Sequence, residues 1–178
     1  GGPLARVTSA SVFTTGDVVS ANDAASFKHR SVPLGGGYFS DFEADDGGLV
    51  VGGQNPSWAW GDPEGALIST AASGTRAWVT NLTGNYNNGE LGWIQTACFD
   101  MSSGSRDPQV SLMQAFRTED CCDGARVEVS VDGGAFRAVG STSSGGTNWY
   151  NNASYGWTGS SGAGAWRNAQ HVLTGTMG

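Results

Sequence analysis

The chain has 178 residues, 29 of them glycine, with 14% charged residues and a formal net charge of −7. This length fits one domain around a single core. A negative chain with a single lysine, Lys28, offers no basic surface to a nucleic-acid backbone, and no apolar run reaches the roughly 18 residues of a membrane-spanning helix. We therefore expect neither nucleic-acid binding nor membrane insertion.

The composition favours an all-β chain. Glycine, serine, threonine and asparagine prefer turns and extended structure to helix interiors. No apolar pattern with helical spacing persists for three turns, so we predict a sandwich or a barrel. The scarcity of lysine in such a composition is common in bacterial exported proteins. We expect a secreted or cell-surface location.

Seven short runs have the length and apolar content of strands. In chain order they are 38–43, 49–52, 76–80, 91–99, 109–117, 125–131 and 136–139. The first 36 residues are less regular, so we interpret residues 1–36 as an N-terminal segment or linker, with an added edge strand pair or the tail of a preceding domain as the alternatives. The main domain is placed at residues 37–178.

One strand and one turn have particularly clear signals. The run Ala125–Val131 alternates, which places Val127, Val129 and Val131 on a buried face. The following Asp132-Gly133-Gly134 tolerates positive φ and predicts a hairpin.

A late segment, residues 141–164, combines glycine, serine and asparagine with aromatic residues. Exposed aromatic rings can stack on sugar rings, and neighbouring amides can bond sugar hydroxyls. We predict a ligand-binding loop formed by Trp149, Tyr150, Asn151, Tyr155 and Trp157. The other strand-located tryptophans, Trp58, Trp60, Trp78 and Trp93, are predicted to lie in the core.

Four acids occur within six residues, at Asp41, Glu43, Asp45 and Asp46. Carboxylate and carbonyl oxygens at a strand end are the hard ligands that calcium prefers. A calcium site and a solvated acidic turn are the two interpretations. Asp100 and Asn81 are candidate further ligands.

The three cysteines, Cys98, Cys121 and Cys122, have the wrong spacing for a zinc site. Because adjacent cysteines close a strained ring, a bridge from Cys98 to one of the other two is expected to be easier. We predict Cys98–Cys121, with three free thiols as the alternative.

Catalytic signals are weak. His29 and His171 are isolated from each other and from any nucleophile motif, and the acidic pair Glu119-Asp120 is more simply an acidic loop next to the cysteines. We predict that the chain is not an enzyme.

Several motifs together resemble a known family. In order they are Asp41-Phe42-Glu43, Trp58-Ala59-Trp60-Gly61, the run from Gly74 to Leu82, Cys98-Phe99-Asp100, Asp132-Gly133-Gly134 and Gly156-Trp157-Thr158-Gly159. Between Tyr38 and Leu173 the chain resembles a MAM-like jelly-roll domain, of the bacterial type attached to secreted immune-inhibitor-A-like metallopeptidases and surface proteins. The resemblance implies a two-sheet antiparallel jelly roll, an extracellular location, a structural calcium ion and a role in adhesion or substrate targeting.

The family pattern continues beyond Leu173 with further strands and a late pair of aspartates. Three explanations are open: a trimmed chain, replacement by the N-terminal segment 7–19, or a strand donated by another chain. We predict a calcium-stabilised binding domain for a glycan or surface polymer. The alternative is a protein-adhesion or self-assembly module.

Overall fold

The computed structural model describes residues 5–11, 24–30, 37–101, 106–162 and 165–175, and in these ranges it has ten β-strands and no helix. The strands are β1 Ala5–Ser11, β2 Ala24–Arg30, β3 Val50–Gln54, β4 Trp58–Gly61, β5 Ala77–Thr80, β6 Leu91–Gln95, β7 Gln109–Gln114, β8 Glu128–Val129, β9 Arg137–Ala138 and β10 Arg167–Val172. The all-β prediction is confirmed. Within the described ranges there is no helix long and apolar enough to cross a membrane.

The strands form five antiparallel pairs. β1 pairs with β2, β4 with β5, and β8 with β9, while β3 pairs with β6 and β7 with β10 across longer stretches of chain. This arrangement is consistent with an antiparallel sandwich. Jelly-roll connectivity stays a prediction.

The predicted run 38–43 is not a strand: residues 38–41 are irregular, and bends begin at residue 42. The Ser40 hydroxyl accepts the N–H of Phe42 at 3.1 Å, and the Asp41 carboxylate accepts that of Glu43 at 3.1 Å. Short polar side chains of this kind compete with a sheet ladder for backbone donors. The strand prediction for this segment was wrong for that reason.

The main apolar core lies in the C-terminal half of the chain. Its buried members are Val139, Trp149, Tyr150, Trp157 and Ala169. Partly buried side chains from β7, from β8 and from the neighbouring segments pack against them: Val110, Leu112, Phe116, Val127, Val129 and Leu173. The predicted inward face of the run 125–131 is therefore observed at Val127 and Val129.

The β8–β9 connection is the predicted hairpin. Asp132 and Gly133 have φ values of 51° and 74°, and the N–H of Gly134 donates to the carbonyl of Val131 at 2.9 Å. Two successive positive φ values are what a two-residue turn needs to match the strand twist, which explains the Asp-Gly sequence.

Two contacts join the earlier part of the chain to this core region. The indole N–H of Trp166 donates to the carbonyl of Thr70 at 2.9 Å. The hydroxyl of Tyr86 donates to the carboxylate of Asp123 at 2.7 Å. These two hydrogen bonds therefore connect the segments around Thr70 and Tyr86 to the C-terminal half of the chain.

Candidate functional site

Three of the five predicted ligand contacts lie in the core. Trp149, Tyr150 and Trp157 are only 8%, 9% and 5% exposed, and their ring centroids lie 5.0 to 5.1 Å apart. These close, tilted and edge-on contacts are typical of packed aromatic rings. The prediction that these three residues form a ligand surface is corrected, because the Gly/Asn-rich loop folds back over β7 and β10.

The polar atoms of these buried rings have internal partners. The indole N–H of Trp149 donates to the carbonyl of Val139 at 2.9 Å. The hydroxyl of Tyr150 accepts the N–H of Val127 at 2.9 Å and donates to its carbonyl at 3.0 Å. Burial raises the pKa of Tyr150. The loop aromatics thus tie the edge of β8 to the core.

The two remaining predicted contacts differ from each other. The side-chain amide of Asn151 donates to the carbonyl of Thr158 at 2.9 Å and accepts its N–H at 3.0 Å, so it bridges the loop internally. Tyr155 is 38% exposed. Of the five residues, Tyr155 is the large aromatic side chain that reaches solvent.

Glu43 joins the acidic segment, residues 41–46, to the loop before β5. Its carboxylate accepts the N–H groups of Thr75 at 3.0 Å and Arg76 at 2.8 Å. The backbone hydrogen bond from Arg76, followed by that from Thr75, lowers the pKa of Glu43. Both charge and geometry therefore give this carboxylate a structural role.

Two tryptophans of the β4–β5 pair hold the same segment. The indole N–H of Trp60 donates to the carbonyl of Phe42, and that of Trp78 donates to the carbonyl of Asp46, both at 2.9 Å. The guanidinium of Arg76 lies 4.9 Å from the Trp60 ring centroid, within cation–π range. The acidic segment is thus held against the β4–β5 pair by hydrogen bonds from Trp60, Trp78, Thr75 and Arg76.

The predicted calcium ligands do not converge. Each aspartate of the segment closes a turn on the backbone N–H two residues ahead: Asp41 on Glu43, Asp45 on Gly47 and Asp46 on Gly48. Among the described residues, three acidic, cysteine or histidine side chains whose ligand atoms all lie within 4.8 Å of one another could hold a metal ion. Such groups include none of the predicted ligands Asp41, Glu43, Asp45, Asp46 and Asp100. The sixth candidate ligand from the sequence, Asn81, accepts the N–H of Thr83 at 3.2 Å. The side chains as arranged do not fit a calcium cage and match the other interpretation, a solvated acidic turn; calcium binding is the alternative that a melting experiment tests.

The disulfide joins Cys121 to Cys122, and the thiol of Cys98 is free and exposed. This corrects the predicted Cys98–Cys121 bridge. A tight turn over residues 120–122 sets the two neighbouring sulfurs side by side, and it outweighs the ring strain on which the prediction was based. Glu119 is near both sulfurs, but sulfurs bonded to each other are not thiolate ligands for a metal.

A buried histidine that had looked isolated in the sequence has a serine partner. His171 is 6% exposed, its Nε2 lies 2.7 Å from the Ser144 hydroxyl, and its Nδ1 lies 2.7 Å from the carbonyl of Val172. The same hydroxyl accepts the N–H of Ser141 at 2.7 Å, inside a turn. The 27 residues that separate this serine from the histidine hid the pair from sequence reasoning.

The β3–β6 pair, in contrast, carries large apolar side chains at the surface. Trp93 is 47% exposed, although the sequence had placed it in the core, and Val50 and Leu91 are 48% and 71% exposed. Gly52 lies opposite Trp93 and has no side chain to cover it. A group of large apolar side chains at the surface is an indicator of a binding site, whereas a buried group shows only where the core lies.

Comparison with known proteins gives one partial match. A stretch of 52 residues, 29% of this chain, is 52% identical to part of Bacillopeptidase F from Bacillus subtilis (strain 168). The matched stretch spans 4% of the length of Bacillopeptidase F, so the similarity concerns one region of that protein. No protein-family model matches the chain, and no solved structure matches it.

Proposed function

We propose that this chain is a non-catalytic accessory domain of a secreted peptidase, which binds a surface polymer, foremost a glycan, and so keeps a catalytic domain near its substrate. The observation that carries the proposal is the 52% identity to a stretch that makes up 4% of a protein named as a peptidase. A similarity confined to one region of a much longer protein suits an attached module.

The chemistry of the described residues supports a role without catalysis. The sulfurs of Cys121 and Cys122 are bonded to each other, so neither is a nucleophilic thiolate. The hydroxyl of Ser144 lies near a histidine but accepts a hydrogen bond from Ser141 and donates to the carbonyl of the same residue at 3.0 Å. That hydroxyl is engaged by its own turn.

The proposal is tested by co-sedimentation of the purified chain with insoluble polysaccharides and bacterial cell walls, alongside a casein-hydrolysis assay. We expect the chain to sediment with at least one polymer and to release no peptides from casein. Failure to sediment with any polymer contradicts polymer binding. Peptide release that co-purifies with the chain contradicts the non-catalytic role.

A second candidate function is self-assembly through strand pairing. Among the described residues β3 and β6 pair only with each other, so each has an outer edge that can accept a further strand. Light scattering across a concentration series tests this candidate. A constant monomer mass contradicts it, whereas mass that rises with concentration supports assembly over glycan targeting.

A further inference from the structure

We propose that the exposed face of the β3–β6 pair binds a chain of neutral hexopyranose units, with one sugar ring stacked on Trp93. The inference deepens the proposed function and rests on it, since it assigns the polymer-binding role to a particular surface and ligand class.

The strand register defines this surface. Directly opposed residues of an antiparallel pair project to the same side, and β3 and β6 oppose Val50 to Gln95, Gly52 to Trp93 and Gln54 to Leu91. These six residues are called the Trp93 face. Its tryptophan lies in the middle of the pair, with an amide side chain toward each end.

Gly52 allows the indole to lie directly against the strand backbone. A Cβ atom at Gly52 would come within 2.2 Å of Cζ2 and 2.3 Å of Cη2 of Trp93, so the ring covers the glycine directly. Trp93 is nevertheless 47% exposed, so a large part of this residue is accessible to solvent. A flat aromatic surface supported from below is the geometry that a pyranose ring needs for C–H stacking.

The charge of the Trp93 face favours a neutral ligand. None of its six residues is ionisable, in a chain whose net charge is −7. The general field of the protein repels polyanions. Gln54 and Gln95 each offer amide donors and an acceptor carbonyl, which suit sugar hydroxyls.

Further amides lie at one end of the face, immediately after β3 and before β6. The side-chain amide of Asn55 donates to the carbonyl of Asn88 at 3.1 Å, and that of Asn87 donates to the carbonyl of Asn55 at 3.1 Å. These bonds hold the polar end of the face in place. A sugar chain that leaves Trp93 in this direction therefore meets fixed polar groups.

The size of the face favours a sugar chain over a protein partner. Two paired five-residue strands present a surface about 17 Å long and about 10 Å wide, or roughly 170 Å². A stable protein interface needs about 800 Å² on each partner. The Trp93 face is too small for that and matches a short run of sugar rings.

The test is calorimetric titration of the purified chain with cellohexaose, maltohexaose and hexa-N-acetylchitohexaose, with tryptophan fluorescence as a second readout. We expect at least one of these neutral hexasaccharides to bind with a Kd between about 10 μM and about 1 mM. Trp93→Ala should weaken that binding by at least about tenfold, as loss of a central aromatic contact does.

Two further variants make the test specific. Gly52→Ala keeps the indole but forces it off the strand surface, so it should also weaken binding several-fold. Phe136→Ala removes another exposed aromatic, 54% exposed, from the β8–β9 hairpin and should leave the Kd unchanged. Urea unfolding of each variant confirms that the fold is intact.

Unchanged hexasaccharide binding in Trp93→Ala overturns the assignment of this face while leaving the proposed function in place. Absence of binding by all three hexasaccharides, combined with sedimentation on bacterial cell walls but on no neutral polysaccharide, overturns the neutral-hexopyranose class alone. Absence of both overturns the inference and the proposed function together. Trp93-dependent binding of gelatin in place of sugars overturns the ligand class in favour of protein.

Discussion

The carboxylate of Glu43 accepts two backbone N–H groups, from Thr75 and Arg76, and the Thr75 hydroxyl lies 3.2 Å from its second oxygen. The space for this arrangement comes from Gly74. A Cβ there would lie 2.3 Å from the carboxyl carbon of Glu43, and the φ of Gly74 is +62°. A single glycine is thus required both for its backbone conformation and for the close approach of an acid.

Gly74→Ala is expected to destabilise the protein more than a matched substitution at Gly89. Gly89 has a nearly identical φ of +65° with nothing within 4 Å of its would-be Cβ, so Gly89→Ala measures backbone strain alone, about 1 kcal/mol. Gly74→Ala also displaces Glu43 from the N–H groups of Thr75 and Arg76, so its loss of stability should be the larger of the two. Urea unfolding of both variants measures the difference, and equal losses would contradict the role of Glu43.

The same carboxylate predicts a pH dependence. The backbone hydrogen bonds from Arg76 and Thr75 lower the pKa of Glu43 below its ordinary 4.5 in the folded state. Its contribution to stability is therefore present above pH 4.5 and lost as pH falls through the lower folded-state value. The difference in urea midpoint between the wild type and Glu43→Gln should narrow between about pH 7 and about pH 3. A difference in urea midpoint that stays constant with pH would show that the charge of Glu43 does not contribute to its hydrogen bonds with Thr75 and Arg76.

At the scale of elements, short polar turns determine much of the structure. The acidic segment is held by aspartates that cap their own turns, and the 120–122 turn is closed by a disulfide between neighbours. Both features depend on residues close in sequence. A link between neighbouring residues closes a short loop, whereas a link between distant strands closes a long one, so the two contribute differently to the free energy of unfolding.

The disulfide makes a small predicted contribution to stability. A bridge between neighbours closes a loop of about two residues, for which chain entropy gives about 1 kcal/mol, whereas Cys98–Cys121 would close about 24 residues and give about 3.5 kcal/mol. Replacing Cys121 and Cys122 together by alanine should thus lower the free energy of unfolding by about 1 kcal/mol. In the native protein, iodoacetamide should label Cys98. A loss above about 3 kcal/mol, or a protected Cys98, would support the longer bridge.

Calcium is the sharpest test of the acidic segment. Because its side chains close separate turns and do not converge, the melting temperature should be the same in calcium and in a chelator. Differential scanning calorimetry in both buffers makes the comparison, and Asp45→Asn is the matched variant. A calcium-dependent rise that Asp45→Asn abolishes would show that the ion reorganises this segment, as the family resemblance implies.

At the scale of the whole molecule, single side chains connect the early strands to the C-terminal core. Tyr86 is one of them, through its bond to Asp123 in the segment that follows the disulfide. The hydrogen bond to Asp123, reinforced by burial, raises the pKa of Tyr86 to about 12. The neutral hydroxyl is therefore the form that the folded state stabilises.

Tyr86→Phe should lower the free energy of unfolding by about 1 to 2 kcal/mol near neutral pH, since it removes a bond to a carboxylate. The contribution of Tyr86 is fully present below the ordinary pKa of 10.0 and is lost as pH rises toward about 12. The wild type and Tyr86→Phe should hence converge in stability above pH 10.0. Asp123→Asn keeps a hydrogen-bond acceptor but removes the charge, so the stability of this variant should fall less steeply as pH rises above 10.0. If the wild type and Tyr86→Phe instead differ in free energy of unfolding by the same amount at all pH values, the contact between Tyr86 and Asp123 is excluded.

The amino-acid sequence by itself determined the fold class, most strand positions and the Asp132-Gly133 hairpin. These depend on local properties: side-chain alternation, conformational preference and tolerance of positive φ. It failed for the run 38–43, where side chains of Ser40 and Asp41 take the backbone donors. It also overlooked β10, whose buried positions hold only Ala169 and His171 and so give a weak apolar signal.

Which aromatic residues face solvent was decided only by the tertiary structure. Trp149 and Trp157 come from a loop of polar composition and are buried, whereas Trp93 comes from a strand and is half exposed. Burial depends on which distant segments pack over a side chain: Trp149 and Trp157 pack with Val139, Tyr150 and Ala169 in the core, whereas Trp93 lies against Gly52 and is 47% exposed. A local pattern contains no information about such long-range contacts, and the candidate site therefore lies on a strand pair that the sequence had assigned to the core.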